Sequence, residues 1–95
     1  MAYVYVLKSR RTNRYYVGST QDLEKRLTEH NDSTSNPSRW TRGGGPWVLV
    51  FSVEFATVED ALRAETFIKR MKSRAFIEKL ISGERDIKAC LRNLS

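Results

Sequence analysis

Tyr3-Val4-Tyr5-Val6-Leu7 and, beyond the polar run Ser9-Arg10-Arg11-Thr12-Asn13, Arg14-Tyr15-Tyr16-Val17-Gly18 are the stretch whose reading decides the fold. In the first segment Tyr3, Tyr5 and Leu7 alternate with Val4 and Val6, the period of a strand covered on both faces. The residues between the segments are polar turn formers, so the two are expected to pair as an antiparallel hairpin. Tyr5 and Tyr16 then lie on adjacent strands and can reach one site.

Working outward, Ser19-Thr20-Gln21-Asp22 has the serine-x-x-acid spacing of a capping box and predicts a helix running to about His30. On that helix Leu23, Leu27, Arg26 and His30 share one face, the leucines packing inward and the polar pair flanking them. Residues 31–46 read as a long loop rich in Ser, Asn, Pro and Gly that carries Arg39, Trp40 and Arg42, and a loop of that length in a small domain is functional or mobile. Trp47 to Phe55 is apolar and β-branched, a third strand. Thr57-Val58-Glu59-Asp60 is a second capping box and opens a helix to about Lys72, and a further helix follows Ser73 with Gly83 as its stop. The expected organisation is a domain over residues 1–83, of class α+β with a small antiparallel sheet, and a short helix or tail over 84–95.

The chain has 95 residues, enough for one domain with a core near the small end of what folds unaided. Hydrophobic residues make up 40%, too many for a disordered chain, and no run is long enough to span a bilayer. No membrane partner is expected. Met1 to Lys8 goes straight into a strand without a basic leader or cleavage site, so the expected location is cytoplasmic. One cysteine and one histidine exclude a thiolate or His/Cys metal cluster. Any metal must therefore be held by carboxylate oxygen and water, which suits a hard ion such as Mg2+ or Mn2+. A net charge of +6 and a pI near 9.8 suit a polyanionic partner or a merely soluble basic protein.

Several polar residues stand out. Glu65 falls between Val58, Ala61 and Ile68 on its helical wheel, where an ionised carboxylate needs a partner. That partner is either Lys69 one turn on, as a helix salt bridge, or a metal ion. Arg26 is either a solvated helix arginine or a fork aimed at a phosphate. His30 is either a helix-terminal residue at the negative end of the dipole or a proton carrier. Tyr5 and Tyr16 are core aromatics or site phenols; Tyr3, Tyr15 and Trp47 read as packing. Gly18 is expected to let the strand turn into the helix. Lys69, Arg70, Lys72 and Arg74 form a basic run, either a solvated face or, for Lys69 and Lys72, a contact with nucleic acid. Trp40 can stack on a base while Arg39 and Arg42 hold backbone.

The two tyrosine triplets, the Arg26/His30 helix and Glu65, in that order, resemble the signature of the GIY-YIG nucleases. The likeness is nearest to small single-domain members similar to the N-terminal nuclease domain of the DNA-repair excision endonuclease C subunit. Tyr3, Val4 and Val17 depart from the Gly, Ile and Ile that give the family its name. The resemblance implies a three-stranded sheet flanked by helices and hydrolysis of phosphodiesters with one divalent ion, leaving a 5′-phosphate. It implies Tyr5, Tyr16, Arg26, His30 and Glu65 as the catalytic set. In it Glu65 is the metal ligand, Arg26 the phosphate contact, and Tyr5 and His30 prepare water. The partner it implies is nucleic acid, DNA ahead of RNA, and it leaves homo-oligomer formation open. The alternatives are a binding module of the same fold that no longer cuts and a structural partner protein using the apolar stripe from Ile87 to Leu94.

Overall fold

Both faces of the first strand are apolar, and the chain covers both. The computed structural model describes residues 1–31 and 46–92, so Arg39, Trp40, Arg42 and the loop reading given to them lie outside the described residues. Strands β1 (Ala2–Ser9), β2 (Tyr15–Thr20) and β3 (Trp47–Phe55) form one antiparallel sheet in the order β2-β1-β3. Helix α1 (Leu23–Asn31) lies between β2 and β3 in the chain, and α2 (Val58–Met71), α3 (Arg74–Ser82) and α4 (Ile87–Arg92) follow β3. This is the α+β, three-stranded arrangement expected from the hairpin and the helical periodicities.

The alternation in β1 sorts two cores. Ala2, Val4 and Val6 face α2, α3 and α4 and are buried with Val17, Phe55, Ala61, Ala64, Ile68, Phe76 and Leu80. Tyr5 and Leu7 face the other way and are buried with Trp47 against Tyr16, Leu23 and Leu27. Each fully buried aliphatic or aromatic side chain contributes roughly 1.5 to 3 kcal/mol of transfer free energy. The larger core also takes in Ile87 and Leu91 of α4. The described part of the Ile87-to-Leu94 stripe is therefore spent on the chain's own core, which removes the reading of it as a surface for a partner protein.

Trp47 reaches the smaller core because β3 is irregular. Val6 pairs with Phe51 but Leu7 pairs with Leu49, so Val50 is an extra residue opposite the β1 ladder. One inserted residue reverses which side of the sheet the rest of the strand faces. Phe51, Val53 and Phe55 thus join the larger core while Trp47, at the same parity in sequence, joins the other. Asn31, expected in the loop, closes α1 instead: its side-chain amide donates to the Trp47 carbonyl at 3.0 Å and accepts from the Trp47 amide at 2.6 Å. The C-terminal end of α1 is thereby tied to the start of β3.

Two of the expected helix starts are observed, with Thr57 accepting from the Asp60 amide and Ser73 from the Phe76 amide. The α2–α3 corner is closed by Lys72 in a left-handed conformation (φ 48°), and α3 stops at Gly83 (φ 88°). The capping box at Ser19 does not form. Ser19 pairs with Val4 in the sheet, and the strand continues to Thr20. Asp22 takes the capping role, accepting from the Lys25 amide at 3.1 Å. Cross-strand pairing with β1 outweighs the local capping signal here, and it moves the helix start on by three residues.

Gly18 also differs from expectation. It lies within β2, opposite Tyr5, and does not make the turn into α1. A Cβ placed on it would stand 2.6 Å from the Tyr5 hydroxyl, 2.7 Å from Tyr5 Cζ and 3.1 Å from Tyr16 Cε2. The bare backbone is the space that the Tyr5 ring fills. Tyr5 is only 2% exposed and cannot swing aside, so Gly18→Ala is an overpacking change expected to cost about 1 to 3 kcal/mol. A circular-dichroism melt should show a fall in Tm on the order of 4 °C or more for a domain of this size. An unchanged Tm would show that Tyr5 is free to relocate.

Candidate active site

The site forms where the free edge of β2 lets the two faces of the sheet meet. From the α1 side come Tyr5 of β1, Tyr16 of β2, and Arg26 and His30 of α1. The Tyr5 hydroxyl is 2.9 Å from His30 Nε2 in a buried hydrogen bond. Ring centroids are 4.9 Å apart for Tyr16 and His30 and 6.3 Å apart for the two tyrosines. His30 is 2% exposed, deeper than the leucines of its own helix. Leu23 and Leu27 pack beneath this group and hold α1 against the sheet.

From the α2 side comes Glu65. Residue alternation in β2 turns Ser19 toward α2, and its hydroxyl donates to Glu65 Oε1 at 2.6 Å. Lys69 Nζ donates to Oε2, also at 2.6 Å, and lies 5.9 Å from the centre of the Tyr16 ring. The Glu65 side chain is 19% exposed, so it is sheltered without being sealed off. Its charge is close enough to Tyr5 to help hold the phenolic proton in place.

Burial dominates the acid–base behaviour of the group. It pushes Tyr5 up to about 12, with Tyr16 adding to the effect and Arg26 opposing it. Burial likewise lowers His30 below the ordinary imidazole value of 6.5, and the neighbouring charge of Arg26 reinforces the shift. The phenol is therefore protonated and the imidazole neutral at pH 7. Burial works against the charge of Arg26, but its contacts with Tyr5 and Glu29 more than offset this and raise its pKa. Arg26 bonds Glu29 at 3.3 Å through one terminal nitrogen. Its Nε is buried and has no hydrogen-bond partner among the described residues. A buried, unsatisfied donor on a cation is an arrangement that an anion would complete.

The five residues singled out in sequence thus lie together, joined by Ser19, whose strand parity with Val17 was the signal that places it beside α2. Lys69 is part of the same group. Lys72 lies next to it on the wall of a groove of about 610 Å³ lined by Arg14, Tyr15, Tyr16, Val17, Trp47, Ile68, Lys69, Lys72, Ser73, Arg74 and Ile77. That groove has four cations, no acid among its described lining, and an apolar floor. Arg74 is partly committed elsewhere: it donates to the Asn13 carbonyl at 2.7 Å and lies 4.5 Å over the Tyr15 ring. Tyr15 packs against the larger core, as read from the sequence, and is also a wall of this groove.

As a metal site the donor set is spare. Among the described residues no three His, Cys, Asp or Glu side chains come together. One sheltered carboxylate that already carries an ammonium fits a hard ion that keeps most of its waters, and does not fit a closed protein cage. Among the described residues no helix is long and apolar enough to cross a membrane.

Known proteins are similar to this chain in sequence and fold. The chain is 38% identical over 85 residues to a UPF0213 protein of Streptococcus pneumoniae serotype 4, a match covering 90% of this chain and 82% of that one. It is 34% identical over 79 residues to the UPF0213 protein YazA of Bacillus subtilis, covering 80% and 77%. The solution NMR structure of the UPF0213 protein BH0048 from Bacillus halodurans superposes with a TM-score of 0.54 at 35% identity, over 86% of this chain and 84% of that one. Residues 1–79 match the model of the GIY-YIG catalytic domain, and with the two tyrosine strands, the Arg26/His30 helix and Glu65 at one sheet edge, the chain belongs to that family of nuclease domains.

Proposed function

We propose that the protein is an endonuclease that hydrolyses nucleic-acid phosphodiesters, DNA ahead of RNA, with one divalent ion. The observation that carries this reading is the convergence at the β2 edge of a buried unpartnered arginine nitrogen, a phenol–imidazole pair and a cation-bearing carboxylate. The net charge of +6 and the cationic groove beside the site suit a polyanion. Lys69, Lys72 and, outside the described residues, Arg39, Trp40 and Arg42 are the proposed contacts with the rest of the strand.

Glu65 would hold the Mg2+ or Mn2+, which when bound neutralises phosphate charge and polarises the phosphoryl oxygen. Arg26 presents its fork to a non-bridging oxygen, and its donors strengthen as charge develops there. Tyr5 cannot act as a base by itself, because its proton is held up to about pH 12. The base strength resides in neutral His30. In the tautomer whose Nε2 accepts, the attacking water passes a proton to the Tyr5 oxygen while the Tyr5 proton crosses to Nε2 along the existing hydrogen bond, whose oxygen and nitrogen are 2.9 Å apart. The water oxygen bonds phosphorus, the ester oxygen leaves and takes a proton from solvent, and Tyr16 orients the same water.

Glu65→Gln keeps the shape of the side chain and removes its charge. It should abolish metal-dependent cleavage of labelled oligonucleotides while the circular-dichroism spectrum stays that of the wild type. Cleavage retained by the variant would remove Glu65 as the metal ligand, and a wild type that does not cleave would leave the non-cutting binding module as the better reading. Arg26→Ala should lower kcat on the order of 10²- to 10³-fold with a smaller change in KM, since its donors act mainly as charge develops. An effect confined to KM would reduce Arg26 to a binding contact.

The pH dependence follows from the sign of the His30 shift. Its folded-state pKa lies below 6.5, so the neutral, proton-accepting form persists below that pH and the acid limb of kcat/KM should fall below 6.5. The same shift means that the unfolded chain binds the proton more readily. The stability His30 contributes is present above pH 6.5 and is lost as pH falls through its folded pKa. A pH–rate profile with its acid midpoint at or above 6.5 would count against His30 as the proton acceptor.

A further inference from the structure

Lys69 takes no part in the proton transfer or in holding the metal, yet it is bonded to the carboxylate on which the metal reading rests. An ordinary helix ion pair one turn apart sits on the solvated face and is worth little. Here the carboxylate is sheltered at 19% exposure and the half-exposed ammonium leans over it, 2.6 Å from Glu65 Oε2 and 5.9 Å from the centre of the Tyr16 ring. Ser19 occupies the other carboxylate oxygen. Both oxygens of the one carboxylate suited to a divalent ion are thus engaged, and its charge is already neutralised. An incoming ion must displace the ammonium or bind against a like charge at contact distance.

The same lysine lines the neighbouring groove with Arg14, Lys72 and Arg74. Arg14 and Lys72 form no ion pair with a described residue, and the described lining contains no acid. Lys69 therefore has no other anion on that side until one arrives. A phosphodiester entering the groove supplies it. The Lys69 side chain is 51% exposed and flexible enough to follow.

We propose that Lys69 is a resident counter-cation that keeps Glu65 closed to the metal until a substrate phosphate draws the ammonium away. Nucleic acid and divalent ion then bind cooperatively, with the polymer favoured first. The inference rests on Glu65 being the metal-binding carboxylate. Because coupling free energies are reciprocal, whatever the polymer does for metal affinity the metal does for polymer affinity.

Mn2+ titrations followed by electron paramagnetic resonance, without nucleic acid, test the first half. Lys69→Met should bind Mn2+ on the order of tenfold more tightly than wild type, as expected when a unit charge about 6 Å from a divalent ion is withdrawn in a water-like dielectric. Lys69→Gln should do the same, Lys69→Arg should not, and adding Glu65→Gln should remove the tight binding. If the Glu65-dependent binding is present but no tighter in the Met and Gln variants, the counter-cation role is overturned while the metal reading stands. If no variant shows Glu65-dependent binding, the metal reading falls and this inference with it. Fluorescence anisotropy with a labelled oligonucleotide in EDTA tests the second half. Glu65→Gln frees Lys69 and should tighten binding several-fold more in the wild-type background than in the Lys69→Met background. Equal tightening in both would overturn the transfer of Lys69 to phosphate.

Discussion

The seating of the Tyr5 ring on the bare backbone of Gly18 is the contact on which the site depends. It lets a large phenol lie within the sheet surface at 2% exposure and points its hydroxyl at His30 Nε2. The depth it reaches is also what sets its chemistry. Burial raises the phenol and lowers the imidazole, so the pair stands at neutral pH with a proton donor facing a proton acceptor across 2.9 Å. A side chain at position 18 would lift Tyr5 from this bed and undo the geometry and the proton arrangement together.

The order of strands matters as much as their number. The two sides of a sheet are kept apart by the sheet itself, so side chains of a central strand cannot join α1 to α2. β2 is at the edge, and past it Tyr16 and His30 from one side approach Glu65 and Ser19 from the other, with Lys69 in contact with both groups. An open edge invites pairing with another chain. The cations of the adjoining groove flank that edge and oppose the approach of a second copy, which carries the same charges.

Much of this was legible in the sequence because the signals were local. Strict alternation in residues 3–7, turn formers after them, and serine or threonine at the starts of α2 and α3 gave the hairpin, the third strand and the helices nearly as observed. The grouping of Tyr5, Tyr16, Arg26, His30 and Glu65 came from the resemblance to the GIY-YIG signature, since each residue taken alone also fitted a packing or surface role. The features that were missed depend on partners distant in sequence. Ser19 carries a valid capping pattern, but pairing with Val4 claims it for the sheet. The extra residue at Val50 leaves no mark in an apolar run, yet it decides which core Trp47 enters. Gly18 is explained only by Tyr5, thirteen residues earlier. The high pKa of Tyr5 needs the depth of burial, which a helical wheel or a strand period does not supply.

Glu65 shows how two readings of one residue can both hold. A salt bridge to Lys69 and a metal site are rivals on a helical wheel; the folded chain has the salt bridge, and under the proposed function the metal site would be a second, successive use of the same carboxylate. A protein that only bound a polyanion would gain by losing this acid, since a negative charge beside a groove lined with Arg14, Lys69, Lys72 and Arg74 weakens attraction for phosphate. Pairing with Lys69 does not repair that loss, because it consumes one of the cations the polyanion would use. Beyond the bond to Ser19 that ties α2 to β2, the carboxylate serves the binding of substrate only in a protein in which another cation takes the place of Lys69 once the phosphate is bound. That is the physical reason for preferring a cutting enzyme to a binding module of the same fold.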